Sequence, residues 1–126
     1  MPKPIRAADQ RVVTTPNASM TTLASPTQGP SGDLAMWRVQ MNAGQRGPMH
    51  VFDSEQLWAA QSGTVVINLD GEQLRLGAGD AIVLPAEAQR QISAETDATA
   101  IVCGHGQAIA SVPGEDASRG TPPWIN

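Results

Sequence analysis

The middle of the chain is a series of short apolar runs that turn-forming residues interrupt. The runs are five to eight residues long, and they are rich in β-branched or alternating apolar residues. Gly, Pro, Asn or Asp separates most of them, and no window keeps a helical period for three turns. The runs cover residues 34–41, 55–61, 64–69, 72–76, 80–85, 90–94 and 98–103. Short strands at this spacing predict an all-β fold, either a closed antiparallel barrel or a sandwich.

Two turn signals support this interpretation. The Asp70–Gly71 pair lies between two of the runs and predicts a hairpin, and Gln61–Thr64 predicts a second tight connection. Aromatic packing must depend on Trp37, Trp58 and Trp124, because the chain has one Phe and no Tyr. A chain of 126 residues is long enough for one domain with one core.

The ends of the chain differ from its middle. Residues 1–33 are rich in Pro, Ser and Thr, and we expect an N-terminal arm with one or two short strands. Residues 34–112 form the predicted barrel, and residues 113–126 form a turn-rich C-terminal tail. We expect Trp124 in this tail to dock on the outside of the barrel or on a neighbouring subunit.

Charge and composition exclude several classes of partner. The net charge is -4 and Lys and Arg form no cluster, which argues against nucleic-acid binding. No apolar segment approaches the length of a signal peptide or a membrane span. Cys103 is the single cysteine, so an intramolecular disulfide is excluded. These features predict a cytoplasmic protein with no membrane partner.

The spacing of Gly44, His50, Phe52, Gln56 and Gly63 resembles the first motif of the cupin family. In that motif, two histidines and a glutamate occupy the positions of residues 50, 52 and 56. The chain therefore keeps the glycine frame of the motif and one of its three metal ligands.

The second cupin motif resembles the segment from residue 79 to residue 90. Gly79 and Pro85 match the motif, Glu87 stands where the family has a second glycine, and Arg90 stands where the family has a third histidine. The whole resemblance covers residues 34–112. It implies the cupin double-stranded β-helix, which is a jelly-roll barrel, and a homodimer.

In this family, three histidines and a carboxylate usually hold a metal inside the barrel. Phe52 has no lone pair, and Arg90 is cationic and has no acceptor, so neither can ligate. Gln56 could offer its carbonyl oxygen, but one imidazole and one amide are fewer ligands than a tight transition-metal site needs. We therefore predict no metal and no other cofactor. The alternative is a metal bound through His50 and Gln56, with His105 and an acidic residue as further ligands.

Strand alternation places Gln56 and Trp58 on one face, and the family pattern implies that this face is the barrel interior. We expect His50 to move a proton, Gln56 to orient a reacting oxygen, and Arg90 to balance negative charge. The expected substrate-binding residues are Phe52, Trp58 and Ile92, with His105 at the mouth of the pocket.

Each of these residues also has a purely structural interpretation. His50 could be an idle residue hydrogen-bonded to Gln56, and Arg90 could be a rim arginine paired with Asp53 or Glu87. Trp58 is more often a core residue than a substrate platform. The sequence leaves open which face of residues 34–41 points inward, and so whether Trp37 or Arg38 joins the site.

The resemblance favours a small cupin that binds a partly apolar organic molecule, either an acid or a polyketide-like compound. We predict proton-transfer chemistry without a metal, such as isomerisation, cyclisation or dehydration, in an isomerase, cyclase or lyase of secondary metabolism. Three alternatives remain: a binding or sensing module without turnover, a metal-dependent enzyme, and a structural barrel whose side chains fill the pocket.

Overall fold

The structure is a computed structural model that describes residues 2–126. Within these residues the chain forms a short 3₁₀ turn at Ala7–Asp9 and eleven β-strands. The strands are β1 (Val12–Thr14), β2 (Ser19–Ala24), β3 (Leu34–Met41), β4 (Val51–Phe52), β5 (Gln56–Ser62), β6 (Val65–Leu69), β7 (Glu72–Leu76), β8 (Ala81–Leu84), β9 (Arg90–Ala94), β10 (Ala98–His105) and β11 (Ala110–Ser111). The predicted all-β class is confirmed.

The strands form three antiparallel sheets. The largest has six strands in the order β1-β2-β3-β10-β5-β8, the second has the order β7-β6-β9, and β4 pairs with β11. Some neighbouring strands are far apart in the sequence; β10, for example, lies between β3 and β5. This arrangement is the jelly-roll barrel of the cupin fold.

The tight turns follow from residues that tolerate a positive φ. Asp70 and Gly71 have φ values of 48° and 87° between β6 and β7, as a two-residue type I′ hairpin requires. Gly63 has a φ of 70° between β5 and β6, and a Cβ there would overlap the carbonyl oxygen of Asp97. Only glycine fits at this turn.

Alternation along the strands separates the core from the surface. In β3, Trp37 and Val39 are buried while Met36 is exposed, and Arg38 points to the same outer side as Met36. Trp37, and not Arg38, therefore faces the interior. Ile67, Leu84 and Val102 fill one part of the barrel and are completely buried.

Both chain ends pack against the barrel. Strands β1 and β2 extend the six-stranded sheet beyond β3. The tail docks on the barrel of its own chain, where Trp124 is half-buried against the core and Ile125 is fully buried. The Thr22 hydroxyl donates to the Trp124 carbonyl at 2.6 Å and fixes the tail there. None of the helical segments within residues 2–126 has the length and apolarity needed to cross a membrane.

Candidate functional site

One end of the barrel interior holds a cavity of about 240 Å³. Its wall is mainly apolar and comes from both large sheets, the segment before β4 and the C-terminal tail. All three tryptophans of the chain contribute to it. The lining residues are Thr15, Asn17, Ala18, Met20, Trp37, Val39, Met41, Gly47, Pro48, His50, Phe52, Gln56, Trp58, Ile92 and Trp124. The barrel therefore has space for a compact ligand, unlike a barrel whose side chains fill its interior.

His50 lies in the cavity wall just before β4. Its Nδ1 is 2.9 Å from the carbonyl oxygen of Pro48. A carbonyl can only accept, so Nδ1 carries the proton and Nε2 keeps a lone pair. Burial lowers the pKa of His50 below its ordinary value, the hydrogen bond to Pro48 opposes this, and the charge of Arg90 lowers the pKa further. The site therefore holds a neutral imidazole that can accept a proton.

Gln56 begins β5 and is almost completely buried, with 1% of its surface exposed. Its Nε2 has no hydrogen-bond partner among residues 2–126, although a buried amide normally has one. The amide fits beside Gly104 of β10, where an added Cβ would lie 3.1 Å from Gln56 Cγ. Gly104 thus makes room for the Gln56 amide, whose Nε2 is enclosed by the protein.

Trp58 lies two residues after Gln56 on the same face of β5 and also lines the cavity. Its indole Nε1 is buried and, within the described chain, has no acceptor. An indole N–H can only donate. Gln56 and Trp58 therefore both line the cavity, but their side-chain nitrogens are enclosed by the protein and are not exposed to it.

Phe52 and Ile92 complete the apolar part of the wall. The Phe52 ring stands edge-on to the imidazole of His50, with 5.0 Å between the ring centroids. Ile92 enters from β9, opposite the strand that carries Gln56, as alternation and the family pattern predicted. These contacts hold His50 at the border between the apolar wall and the rim.

Arg90 points inward but does not line the cavity. It is 1% exposed, and its guanidinium carbon lies 5.6 Å from the centroid of the Phe52 ring. Its Nη2 donates to the carbonyl oxygens of Pro85 at 2.7 Å and Ala88 at 3.2 Å, and Nε also donates to Ala88. Arg90 is therefore not a rim arginine paired with Asp53 or Glu87. Backbone carbonyls of its own turn, rather than a carboxylate, accept its hydrogen bonds.

His105 does not lie in this cavity either. It is exposed at the end of β10 and borders a separate surface depression with Asp53, Ser54, Gln107 and Ala108. Cys103 shares the outer face of β10 with His105, so the cysteine also points away from the barrel interior. The structure brings together five of the seven predicted site residues, and it leaves Arg90 and His105 outside the cavity wall.

The donor set does not fit the metal of the family. Phe52 and Arg90 cannot ligate, and the guanidinium of Arg90 is engaged as a donor. No group of three or more His, Cys, Asp or Glu residues within residues 2–126 could hold a metal ion. The alternative set of His50, Gln56 and His105 is not assembled, because His105 borders the other depression. No step of a mechanism can be derived through a metal at these residues.

The structure adds wall residues that the sequence did not indicate. Alternation gives β3 two faces but does not say which one points inward. The inward face carries Trp37, Val39 and Met41. Thr15 and Asn17 reach the cavity from the β1–β2 turn, and Trp124 reaches it from the tail. No local pattern marks these three positions, because their place depends on contacts that are distant in sequence.

Comparison with known proteins gives one family. The sequence profile of the cupin domain matches residues 37–103, which is more than half of the chain. No curated protein matches the chain.

Solved structures share the fold at low sequence identity. A cupin from Shewanella frigidimarina NCIMB 400, described as RmlC-like, is 18% identical with a TM-score of 0.68, over 79% of this chain and 86% of that one. Salicylate 1,2-dioxygenase from Pseudoaminobacter salicylatoxidans is 17% identical with a TM-score of 0.72, over 86% of this chain and 32% of that one. A DMSP lyase from Ruegeria pomeroyi DSS-3 is 20% identical with a TM-score of 0.72, over 87% and 64%. The two enzymes differ in chemistry, so the likeness extends to the fold alone.

Proposed function

The chain belongs to the cupin family, and from that premise we propose that it is a metal-independent enzyme for proton transfer on a small organic molecule. The molecule binds in the apolar cavity, and His50 removes and returns a proton. The reaction is an isomerisation, a cyclisation or a dehydration. The proposal rests mainly on one observation: His50 donates Nδ1–H to Pro48 and stands in the cavity wall with a lone pair on Nε2.

The proposed chemistry begins with a C–H bond next to a carbonyl group. His50 Nε2 takes the proton, and the electron pair of the C–H bond moves to the carbonyl oxygen to give an enolate and an imidazolium. Return of the proton to a different carbon completes an isomerisation. In cyclisation the enolate carbon attacks a second carbonyl carbon, and the imidazolium protonates the alkoxide that forms. In dehydration the imidazolium protonates the β-hydroxyl, which leaves as water while the enolate electrons form the C=C bond. None of these outcomes needs an oxidant or a reductant.

Arg90 contributes to this proposal without touching the ligand. Its positive charge lowers the pKa of His50, in the same direction as burial. A neutral base is then retained at a pH where a free imidazole would begin to accept protons. We assign Arg90 as a positioning residue: it packs on Phe52, which in turn packs on His50.

Deuterium exchange tests the proposal with a defined probe. 2-Tetralone, a compact ketone with an activated C–H bond, is incubated with the protein in D₂O and followed by proton NMR. We expect wild-type protein to accelerate deuterium incorporation above the rate in buffer, and His50→Gln to reduce the acceleration about 100-fold or more. Gln61→Leu, an exposed position of β5, is the matched control and should exchange the probe at the wild-type rate.

The same experiment separates the alternative functions. A binding or sensing module would show no acceleration in either protein, although the probe would still bind. A metal-dependent enzyme would lose its acceleration when a chelator is added. Acceleration that survives both the chelator and the His50→Gln substitution would contradict the assignment of the base.

We also propose a homodimer that forms through the outer face of the six-stranded sheet. Strand pairing places Met36, Cys103, Leu57 and Val83 in one row, and Met36, Leu57 and Val83 are exposed. Such a row on an outer face is typical of a contact surface. Light scattering should give twice the monomer mass, and Leu57→Asp should give the monomer. A cytoplasmic location and a role in secondary metabolism remain parts of the proposal.

A further inference from the structure

We propose that the ligand of the cavity is a flat aromatic compound of at most two fused rings, and that Trp124 of the C-terminal tail sets this limit. The inference rests on the proposed function, because it names the class of molecule that binds beside His50. It concerns the shape of the ligand and the residue that selects it, and a shared fold determines neither.

The first support is the place of the aromatic side chains. The chain has three Trp, one Phe and no Tyr, and all four of these rings line the same cavity. The core residues outside the cavity wall are Ala, Val, Leu and Ile. Aromatic rings attract other flat rings more strongly than their buried area alone predicts. Their concentration in one wall therefore favours a flat ring as the ligand.

The second support is the size of the space. The cavity has a volume of about 240 Å³ and a mainly apolar wall. Pockets for drug-sized ligands usually have volumes of about 300–1,000 Å³. The cavity lies below this range, so it suits a compact molecule of one or two rings better than a larger one.

The third support is the position of Trp124. It is the one aromatic residue of the wall that lies outside residues 37–103, the segment that matches the family profile. The other three rings, those of Trp37, Phe52 and Trp58, are at most 8% exposed, whereas Trp124 is half-buried. Trp124 therefore stands at the edge of the buried wall, and a smaller side chain there would extend the space towards the surface.

The tail holds Trp124 in place. The hydroxyl of Thr22, which is completely buried, donates to the Trp124 carbonyl at 2.6 Å, and the next residue, Ile125, is also completely buried. Before Trp124, the backbone N–H of Ala110 donates to the Gly120 carbonyl at 2.9 Å. A ring that is fixed in this way can select ligands by size. Thr22 does not line the cavity, so we assign it as a positioning residue.

Four methyl ketones test the inference by binding alone. Acetophenone has one ring, 2-acetonaphthone two and 2-acetylphenanthrene three, and 2-acetyldecahydronaphthalene has the two-ring skeleton in saturated, puckered form. Kd is measured on the full chain by quenching of tryptophan fluorescence. We expect 2-acetonaphthone to bind most tightly and 2-acetylphenanthrene about tenfold more weakly or worse. The saturated analogue should bind about fivefold more weakly than 2-acetonaphthone, although it is more hydrophobic, because its rings cannot stack.

Variants of Trp124 test the size limit. Trp124→Ala should bind 2-acetylphenanthrene about tenfold more tightly than the wild type, and 2-acetonaphthone more weakly, because apolar contact with the smaller ligand is lost. Trp37 and Trp58 remain as fluorescent reporters. Trp124→Leu should give an intermediate shift, and it keeps the test open if Trp124→Ala fails to fold. Pro123→Ala, an exposed position beside Trp124, is the matched control and should leave both Kd values unchanged.

Variants of Thr22 test how the ring is held. Thr22→Val keeps the shape of the side chain but removes the donor to the Trp124 carbonyl, and it should narrow the gap between the two-ring and three-ring ketones. Thr22→Ser keeps the donor and should restore the gap. An equal gap in Thr22→Val and the wild type would overturn the positioning role of Thr22.

Four results would overturn the inference. They are equal binding of the two-ring and three-ring ketones by the wild type, an unchanged ratio in both Trp124 variants, equal binding of 2-acetonaphthone and its saturated analogue, and no binding of any ketone up to its solubility limit. Repeating the titrations on His50→Gln separates this inference from the proposed catalysis. A retained size limit without deuterium exchange would leave the ligand class standing while the assignment of the base fails.

Discussion

The two stretches that match the cupin motifs differ from the family pattern in different ways. In the first, Phe52 and Gln56 occupy ligand positions and both stand in the cavity wall beside His50. In the second, Arg90 occupies the ligand position, and its side chain is bound to the carbonyl groups of its own turn. The position of a residue in a motif therefore determines where its backbone lies in the barrel. Whether its side chain lines the cavity depends on the hydrogen bonds that the side chain makes.

The glycines that frame the two motifs allow the strongest contrast. Gly63→Ala should cost about 4 kcal/mol, because φ is 70° and the new Cβ would overlap the Asp97 carbonyl. Gly79→Ala in the second motif meets open space at a φ of 92°, and should cost only about 1 kcal/mol. Urea unfolding measures both. Equal losses of unfolding free energy in Gly63→Ala and Gly79→Ala would contradict this difference between the two turns.

Removing the buried guanidinium should affect stability more than ligand binding. Arg90→Ala leaves a void and deprives the Pro85 and Ala88 carbonyl groups of their donor, at a cost of about 3 kcal/mol. The affinity for 2-tetralone should change less than about twofold, because Arg90 does not line the cavity. Gln56→Leu should give the opposite pattern, with stability unchanged or raised by up to about 1 kcal/mol, since its buried Nε2 already lacks a partner within residues 2–126. Loss of binding in Arg90→Ala at unchanged stability would contradict this division.

The second motif also stores backbone strain. Glu87 stands where the family has glycine, and its φ is 67°. Glu87→Gly should raise stability by about 0.5–1 kcal/mol, because glycine adopts this conformation without a Cβ clash. Chemical unfolding measures the change, with Glu87→Ala as the variant that keeps the clash. A loss of stability in Glu87→Gly would show that the carboxylate near Arg90 matters more than the strain.

The smallest expected effect is the pH dependence that His50 gives to stability. Its pKa is lower in the folded than in the unfolded chain, where it is near 6.5, so the unfolded chain binds the proton more readily. This contribution to stability is intact above pH 6.5 and is lost as the pH falls towards the lowered pKa. His50→Gln should flatten the curve in this window. If His50→Gln lost stability more steeply than the wild type as the pH falls, the result would contradict a lowered pKa of His50 in the folded chain.

Local rules were sufficient to predict the seven strands β3 and β5 to β10 and the turns that precede and follow β6, but not the two-residue strands β4 and β11. The turns at Asp70–Gly71 and at Gly63 could be predicted because few residue types accept a positive φ. Alternation and the family spacing together placed His50, Phe52, Gln56, Trp58 and Ile92 on the interior. These predictions needed only the backbone period and the order of residues.

Other features of the site depend on contacts that the sequence does not encode locally. Trp124 reaches the cavity because Thr22, a residue from the other end of the chain, holds its carbonyl. The sequence left open whether Arg90 points inward, and the acceptors of its side chain come from the shape of the turn after β8. His105 is the last residue of β10 and lies on its exposed outer face, beside the second depression.

Metal content tests the central claim most directly, because the account requires that Nε2 of His50 is free to act as a base. Elemental mass spectrometry is applied to protein purified without an affinity tag or a chelator, alongside His50→Gln. The account predicts that neither protein carries a transition metal near one ion per chain. Near-stoichiometric metal in the wild type that disappears in His50→Gln would contradict it, because His50 would then be a ligand and not a free base.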